Sequence, residues 1–161
     1  MAAVTAVGGL DEDSAAELAR VKWLIKSEPD EISIDDLAAK SGVESWDGIR
    51  NFEARNLLRS VKPGDLALFY HSSCKRPGIV GIVSFESEAY PERGCTEVDK
   101  RGEPRWYACD VKFVRKLKRE IGLEELKQAA PLSEMVLIKR ARLSVQPVRP
   151  NEAEYILSTS Q

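Results

Sequence analysis

The sequence predicts an α+β fold, in which a small curved or closed sheet of about five strands is flanked by helices. Three observations support this prediction. The chain has 161 residues, which is enough for one domain with a single sizeable core. Runs rich in Val, Ile, Phe and Tyr, bounded by Pro and Gly, are typical of strands. Segments whose apolar residues recur three and four positions apart lie between these runs and are typical of helices.

Strands are predicted wherever apolar residues alternate or cluster. The alternation of Val21, Trp23 and Ile25 predicts the first strand over residues 21–26. Two more are predicted by LALFYHS and GIVGIVSFESEAY, and Gly78 and Gly81 in the second run indicate a bulge or a close backbone approach. A long strand over residues 105–118 and a last strand in ARLSVQPV complete the predicted sheet.

Helix signals separate these strands. In SIDDLAAKSG, Ser33 can cap the helix, Asp36 stands at the capping-box position, and Gly42 can end it in the left-handed conformation. The apolar spacing of residues 54, 57, 58 and 61 predicts an amphipathic helix over residues 51–60. Short helical pieces are predicted in GLEELKQAA and LSEMVLIK, and a closing helix in PNEAEYIL.

Composition limits the class of protein. Residues 1–20 are small and polar and are predicted to be a flexible tail before a single domain over residues 21–158. The formal net charge is −2, so nucleic-acid binding would need a local patch. Three cysteines without C-x-x-C spacing favour a reducing compartment. We see no secretory signal and no apolar run of about 18 residues, so we expect an intracellular protein without a membrane partner.

The sequence offers little for catalysis. The only histidine, His71, has Ser and Cys neighbours within a few positions in one loop, and such neighbours rarely reach the geometry of a nucleophile and its base. We find no Gly-rich phosphate loop, no paired-histidine metal motif and no nucleophile elbow. We therefore expect no enzyme, no catalytic residue, no metal and no cofactor.

Several motifs occur in a fixed order along the chain: WLIKSEP, WDGIRNFEARNLLR, GDLALFYHS, PGIVGIVSFESEAYP, VKFVRKL and RLSVQPV. On these motifs the sequence, from about residue 21 to residue 157, resembles the EVE domain family. The resemblance implies a PUA-like fold, a small β-barrel of about five to six strands flanked by helices and related to the YTH domains. It also implies a non-enzymatic domain that recognises a modified base in nucleic acid, with a modified cytosine in DNA as one candidate.

The resemblance further implies a base-binding pocket at the mouth of the barrel. Its residues are Lys26, Ser27, Glu28, Trp46, Asn51, Arg55, Asn56, Tyr70, His71, Ser72, Ser144 and Gln146. A base removed from its stack needs an aromatic face and hydrogen bonds to its edge, which Trp46 and Asn51 can supply. The structural alternatives are a core position for Trp46 and a helix cap for Asn51.

Local positive charge is predicted in one loop and one strand. The residues predicted to contact the nucleic-acid backbone are Lys75, Arg76, Lys112, Arg115 and Lys116. A solvated face is the alternative for this set. Arg55 is expected either to contact a phosphate or to pair with an acidic neighbour such as Glu28.

Three other functions remain open at this point. The chain could be a nuclease resembling the related ASCH family, with Lys26 and a polar neighbour in acid–base roles. It could also be an RNA-binding module or a protein-interaction domain. We expect a monomer whose partner is DNA or RNA carrying a modified base, located in the nucleus or alternatively in the cytoplasm.

Overall fold

A computed structural model describes residues 11–161. The strands are β1 (Val21–Ser27), β2 (Glu44–Trp46), β3 (Leu66–His71), β4 (Gly78–Phe85), β5 (Tyr90–Pro91), β6 (Tyr107–Gly122) and β7 (Val145–Pro147). The helices are α1 (Glu12–Leu18), α2 (Ile34–Ala39), α3 (Phe52–Leu58), α4 (Leu123–Gln128), α5 (Val136–Lys139) and α6 (Pro150–Thr159). A 3-10 turn, Ala130–Leu132, lies between α4 and α5.

The strands form one curled, mixed sheet. Six of them follow the order β2-β6-β4-β3-β1-β7, and β5 pairs with β6 outside this path. β1 and β3 are parallel, whereas the other pairs are antiparallel. Trp46 of β2 and Ser144, just before β7, line the same cleft although they belong to opposite ends of the strand order. The sheet is therefore curled into a half-barrel, and the predicted α+β fold is confirmed.

The sheet buries both of its faces. On one face, Leu24, Leu68 and Ile82 pack with residues of α4, α5 and α6. On the other face, Phe69 and Val83 pack with residues of α2 and α3. Successive residues of a strand point to opposite faces of the sheet. Because the central strands are buried on both faces, their sequences are continuous apolar runs.

The predicted start of α2 is confirmed, and its predicted end is wrong. The Ser33 hydroxyl accepts from the Asp36 N–H, and the Asp36 carboxylate accepts from the Ser33 N–H, which forms a capping box. The helix ends at Ala39, and Lys40 is already extended. Gly42 does not have a positive φ, so the chain leaves this helix without a left-handed residue there.

The structure describes residues 11–20 of the segment that was predicted as a flexible tail over residues 1–20. Residues 12–18 form α1, which Asp11 caps through the Ser14 N–H and which packs against α6. Its Glu17 binds Arg115 of β6. A polar helix of this length has little stability by itself, so its order depends on these tertiary contacts. Residues 1–10 lie outside the described part of the chain.

Two glycines of β4 allow another backbone to approach closely, as the sequence predicted. A Cβ atom at Gly78 would lie 2.4 Å from the carbonyl oxygen of Ile121 on β6. A Cβ atom at Gly81 would lie 2.8 Å from the carbonyl oxygen of Arg115 on β6 and 2.7 Å from the side chain of Ile34. The register between β4 and β6 shifts beside Gly81, so the bulge and the close approach occur together.

We predict that Gly78→Ala lowers the free energy of unfolding by about 1–3 kcal/mol, because the new methyl group would overlap a backbone atom that cannot move independently. Gly42→Ala is the matched control, since open space surrounds that position and its φ is not positive. The control should stay within about 0.5 kcal/mol of the wild type. Urea unfolding measures both, and equal losses in the two variants would contradict the close-approach argument.

Candidate functional site

A cleft of about 700 Å³ opens at one edge of the curled sheet. The carboxyl ends of β1 and β3 and the segment before β7 form one side, and the loop between β2 and α3 forms the other. Seven of the residues that the resemblance implied line it: Lys26, Ser27, Glu28, Trp46, Asn51, Ser72 and Ser144. The sequence analysis did not name the other lining residues: Glu31, Ile32, Ser45, Asp47, Gly48, Ile49, Arg50, Ser73, Ala141 and Arg142.

Three serines meet at this cleft because β1 lies between β3 and β7. The Ser72 N–H donates to the Ser27 carbonyl oxygen at 2.9 Å, and the Lys26 N–H donates to the Ser144 carbonyl oxygen at 3.0 Å. The Ser27 hydroxyl donates to the Ile32 carbonyl oxygen at 2.5 Å, so its own oxygen keeps lone pairs with which to accept. Hydrogen bonding between strand ends therefore sets the position of this polar wall.

Lys26 is held at one end of the cleft. Its ammonium group donates to the Ala141 carbonyl oxygen and lies 5.5 Å from the centroid of the Tyr70 ring. Burial lowers the pKa of Lys26. Tyr70 itself is buried in the core and does not line this cleft. The ammonium group thus joins β1 to the segment between α5 and β7.

Trp46 belongs mainly to the core. It is 8 % exposed, and its ring meets Phe69 edge to face with 5.6 Å between the centroids. Trp46 is nonetheless among the residues that line the cleft. The core position that the sequence left as one alternative is therefore present, with a small part of the ring at the surface of the cleft.

The loop between β2 and α3 is clamped by Glu92. Its carboxylate accepts from the Gly48 N–H at 2.7 Å and from the Arg50 guanidinium at 3.1 and 2.7 Å. The hydrogen bond from Arg50 holds the pKa of Glu92 below its ordinary value. Gly48 has a φ of +77°, which favours glycine at this turn. The clamp fixes the wall that carries Trp46 and Asn51.

Asn51 caps α3 with one atom and leaves another free. Its Oδ1 accepts from the Ala54 N–H at 2.8 Å, and the side chain is exposed beside the cleft. The amide NH₂ group is not used by this cap and remains a donor. Capping therefore leaves the amide NH₂ group of this side chain available as a donor at the cleft.

Two predicted residues of α3 lie outside the cleft. Arg55 donates to the Asn56 side-chain oxygen at 3.1 and 2.7 Å and to the Arg105 carbonyl oxygen at 3.0 Å. These bonds turn Arg55 and Asn56 toward the segment before β6. The alternative pairing of Arg55 with Glu28 does not occur among the described residues.

His71 and Gln146 also lie outside the cleft, because both are used within the fold. His71 Nε2 accepts from the Ile34 N–H at 3.1 Å at the start of α2. Gln146 is fully buried and donates to the Leu143 carbonyl oxygen at 2.8 Å. Its Oε1 has no hydrogen-bond partner among the described residues.

The cleft carries charges of both signs. Glu28, Glu31 and Asp47 bring carboxylates, and Arg142 brings a guanidinium that forms no ion pair within residues 11–161. Such a lining suits a ligand that has both donors and acceptors. A simple phosphate patch would have positive charge only.

The predicted basic contacts are partly paired within the fold. Arg115 binds the Glu17 carboxylate at 2.7 Å, and Lys116 binds Asp35 at 2.8 Å. Lys112 is exposed and forms no ion pair in the described part of the chain. Lys75 and Arg76 line a separate cleft of about 590 Å³ that also contains carboxylates. The positive charge of β6 is therefore smaller than its sequence indicates.

Two further features concern residues 11–161 as a whole. Within this range, no group of three His, Cys, Asp or Glu side chains could hold a metal ion. None of its helices combines the length and the apolar character that a membrane crossing requires.

Comparison with known proteins identifies the family. The model of the EVE domain matches residues 21–159. Thymocyte nuclear protein 1 of mouse is 43% identical, with 86% of this chain and 73% of that protein covered. The human protein of that name is 41% identical with the same coverage.

Solved structures give the same result. The structure of human THYN1 protein in complex with 5-methylcytosine-containing DNA has a TM-score of 0.78 at 40% identity, covering 86% of this chain and 96% of that chain. A YTH domain of Zygosaccharomyces rouxii has a TM-score of 0.50 at 18% identity, over 88% and 87% of the chains, and shares the fold alone. The curled sheet with its helices is thus a PUA-like α+β domain. More particularly, the chain belongs to the EVE domain family, which confirms the resemblance seen in the motifs.

We predict that His71 makes a pH-dependent contribution to the free energy of unfolding. Burial disfavours the charged ring and so lowers the pKa of His71 below the ordinary value of 6.5. The neutral ring accepts the Ile34 N–H. The unfolded chain takes up the proton first, so this stability is complete above about pH 6.5 and is lost as the pH falls through the folded-state pKa. The urea midpoint should therefore fall more steeply between about pH 7.5 and pH 5 in the wild type than in His71→Gln, which keeps an acceptor without titrating. Parallel profiles would contradict this role.

Proposed function

We propose that this chain binds a modified nucleobase in nucleic acid without transforming it. The proposal rests on one observation: Ser27, Trp46, Asn51 and Ser72, which come from three separate motifs, line one cleft. The human relative whose structure contains 5-methylcytosine DNA is 40% identical to this chain and supports a modified cytosine in DNA as the ligand. RNA carrying a modified base is the second candidate, supported only by the shared fold of the YTH domain.

The lining matches the chemistry of a flipped cytosine. The cleft volume of about 700 Å³ falls within the usual range for small-molecule sites. The Asn51 NH₂ group and the serine hydroxyls can donate to the ring nitrogen and carbonyl oxygen of the base. A carboxylate such as that of Asp47 can accept from the exocyclic amine. Ile32 and Ile49, with the exposed part of Trp46, offer apolar contact to a methyl group.

We infer that the chain binds its ligand without catalysis, because the two groups that could serve a nuclease as acid or base are engaged within the fold. The ammonium group of Lys26 is held by a backbone carbonyl, and His71 is occupied at the start of α2. Within residues 11–161, neither group is paired with a nucleophile. We further propose that the protein acts as a monomer. We also propose that it acts in the nucleus, because the mouse and human relatives carry the name thymocyte nuclear protein 1.

The phosphates beside the captured base need cations. Arg142 lines the cleft without an ion pair in the described residues, so we propose it as the first phosphate contact. The residues predicted earlier, Lys75, Arg76, Lys112, Arg115 and Lys116, remain proposals for contacts farther along the strand. Among them, Lys112 has the least competition from neighbouring carboxylates.

We predict that Asn51→Ser separates the two roles of this residue. Serine caps a helix about as well as asparagine, so the free energy of unfolding should change by less than about 0.5 kcal/mol. Removal of the amide donor should weaken the binding of cytosine and 5-methylcytosine oligonucleotides alike, by roughly 2- to 12-fold, if it contacts the edge that the two bases share. Fluorescence titration with oligonucleotides that carry cytosine or 5-methylcytosine measures both affinities.

The same titration tests the proposed function in the wild type. Tighter binding of the modified oligonucleotide, which stays intact after long incubation without metal, supports a non-enzymatic reader. Cleavage of the oligonucleotide would favour the nuclease alternative. Equal binding of both oligonucleotides would contradict recognition of the modified base.

We predict different salt effects for two arginines. Removing one cation that binds a phosphate should reduce the slope of log affinity against log salt by roughly 1. Arg142→Ala should show this reduction. Arg115→Ala should change the slope less, because Glu17 already pairs with that guanidinium. A larger effect at Arg115 than at Arg142 would place the phosphate path on β6 and contradict our assignment.

A further inference from the structure

Beside the cleft, Phe52 presents an aromatic surface that capture of a single base does not use. It is the first residue of α3 and directly follows Asn51. It is 52 % exposed and is one of four large apolar side chains that are exposed among the described residues. Its ring stacks on Trp106, with 5.2 Å between the centroids and 15° between the planes. A buried tryptophan therefore holds an exposed phenylalanine in a fixed orientation.

Arginines surround this stacked pair. The guanidinium carbon of Arg55 lies 5.0 Å from the centroid of the Phe52 ring, and that of Arg105 lies 6.0 Å from it. Arg55 forms no ion pair within residues 11–161, and Arg105 pairs with Glu97 only at 3.6 Å, with both side chains well exposed. Aromatic rings combined with nearby cations are the usual means of holding single-stranded nucleic acid, through base stacking and phosphate contacts.

The pair is continuous with the cleft. Arg50 lines the cleft, and its guanidinium carbon lies 4.8 Å from the centroid of the Trp106 ring. Asn51 lines the cleft as well. Phe52 therefore adjoins the cleft, through its neighbour Asn51 and through the contact of Trp106 with Arg50. Covering Trp106 does not itself require an aromatic residue, since leucine has better helix propensity and would also exclude water.

We propose that Phe52 stacks with the base that flanks the captured base on the same strand, and that Arg55 and Arg105 contact the phosphates beside it. This inference rests on the proposed function, because it needs a base in the neighbouring cleft. It adds a second subsite, which tolerates any base, to a cleft that selects a modified one. Stacking is tolerant in this way because every base has a flat face.

Phe52→Leu tests the proposal, because it keeps an apolar cover on Trp106 and removes the ring. The probe is a single-stranded oligonucleotide with one 5-methylcytosine, prepared with its neighbours intact or with an abasic site on either side. We expect Phe52→Leu to bind the intact probe about 5-fold or more weakly, with an unchanged preference for 5-methylcytosine over cytosine. One of the two abasic probes should bind to the wild type about 5-fold or more weakly than the intact probe does. Phe52→Leu should bind that abasic probe and the intact probe with equal affinity.

Val114→Ala is the matched control, since Val114 is an exposed apolar residue of β6 outside both the cleft and the aromatic pair. It should bind like the wild type. Phe52→Trp, which restores an aromatic face, should recover the affinity. Thermal unfolding of each variant ensures that folded proteins are compared.

The outcomes separate this inference from the proposed function. The flanking subsite would be overturned if Phe52→Leu bound the intact probe as tightly as the wild type does. It would also be overturned if the abasic site weakened binding as much in that variant as in the wild type. In that case a preserved preference for 5-methylcytosine would leave the cleft assignment standing. Weaker binding by Phe52→Leu together with no preference in the wild type would support stacking and overturn recognition in the cleft. No binding by the wild type would overturn both.

Discussion

The candidate site depends on the parallel pairing of β1 with β3. Parallel neighbours cannot be joined by a tight turn, so the chain must cross over the sheet between them. Here the crossover contains α2, β2 and α3, and its loop from Trp46 to Asn51 forms one wall of the cleft. The opposite wall consists of the strand ends themselves. Ligand sites commonly lie at the carboxyl ends of such strands, and this topology accounts for the location of the cleft.

Several residues serve the fold and the cleft at once. Trp46 packs against Phe69 and still reaches the cleft, while Asn51 caps α3 with its oxygen and keeps its amide donor. Glu92 fixes the loop between them through Gly48 and Arg50. A wall that is already rigid loses little conformational entropy on binding. The structural and the functional interpretations of these motifs are therefore compatible at the level of individual atoms.

Local chemistry was predictable from the sequence, and long-range pairing was not. The Ser33 capping box and the close approach at Gly78 follow from residue type and spacing. β2 has only three residues and is defined by its pairing with β6, so no periodicity marks it. Arg50 and Glu92 are 42 residues apart, and Arg115 and Glu17 are 98 residues apart. Such ion pairs decide which cations remain free, and only the folded chain shows them.

The most direct test of a base-binding cleft is an NMR titration of the folded protein with a short single-stranded DNA that carries one 5-methylcytosine. The backbone amides of residues 26–28, 45–51, 72–73 and 141–144, together with the Trp46 indole N–H, should shift on binding. The same DNA with unmodified cytosine should shift these signals less at equal concentration. Shifts confined to the separate cleft around Lys75 and Glu124, or equal shifts with both DNAs, would contradict the account.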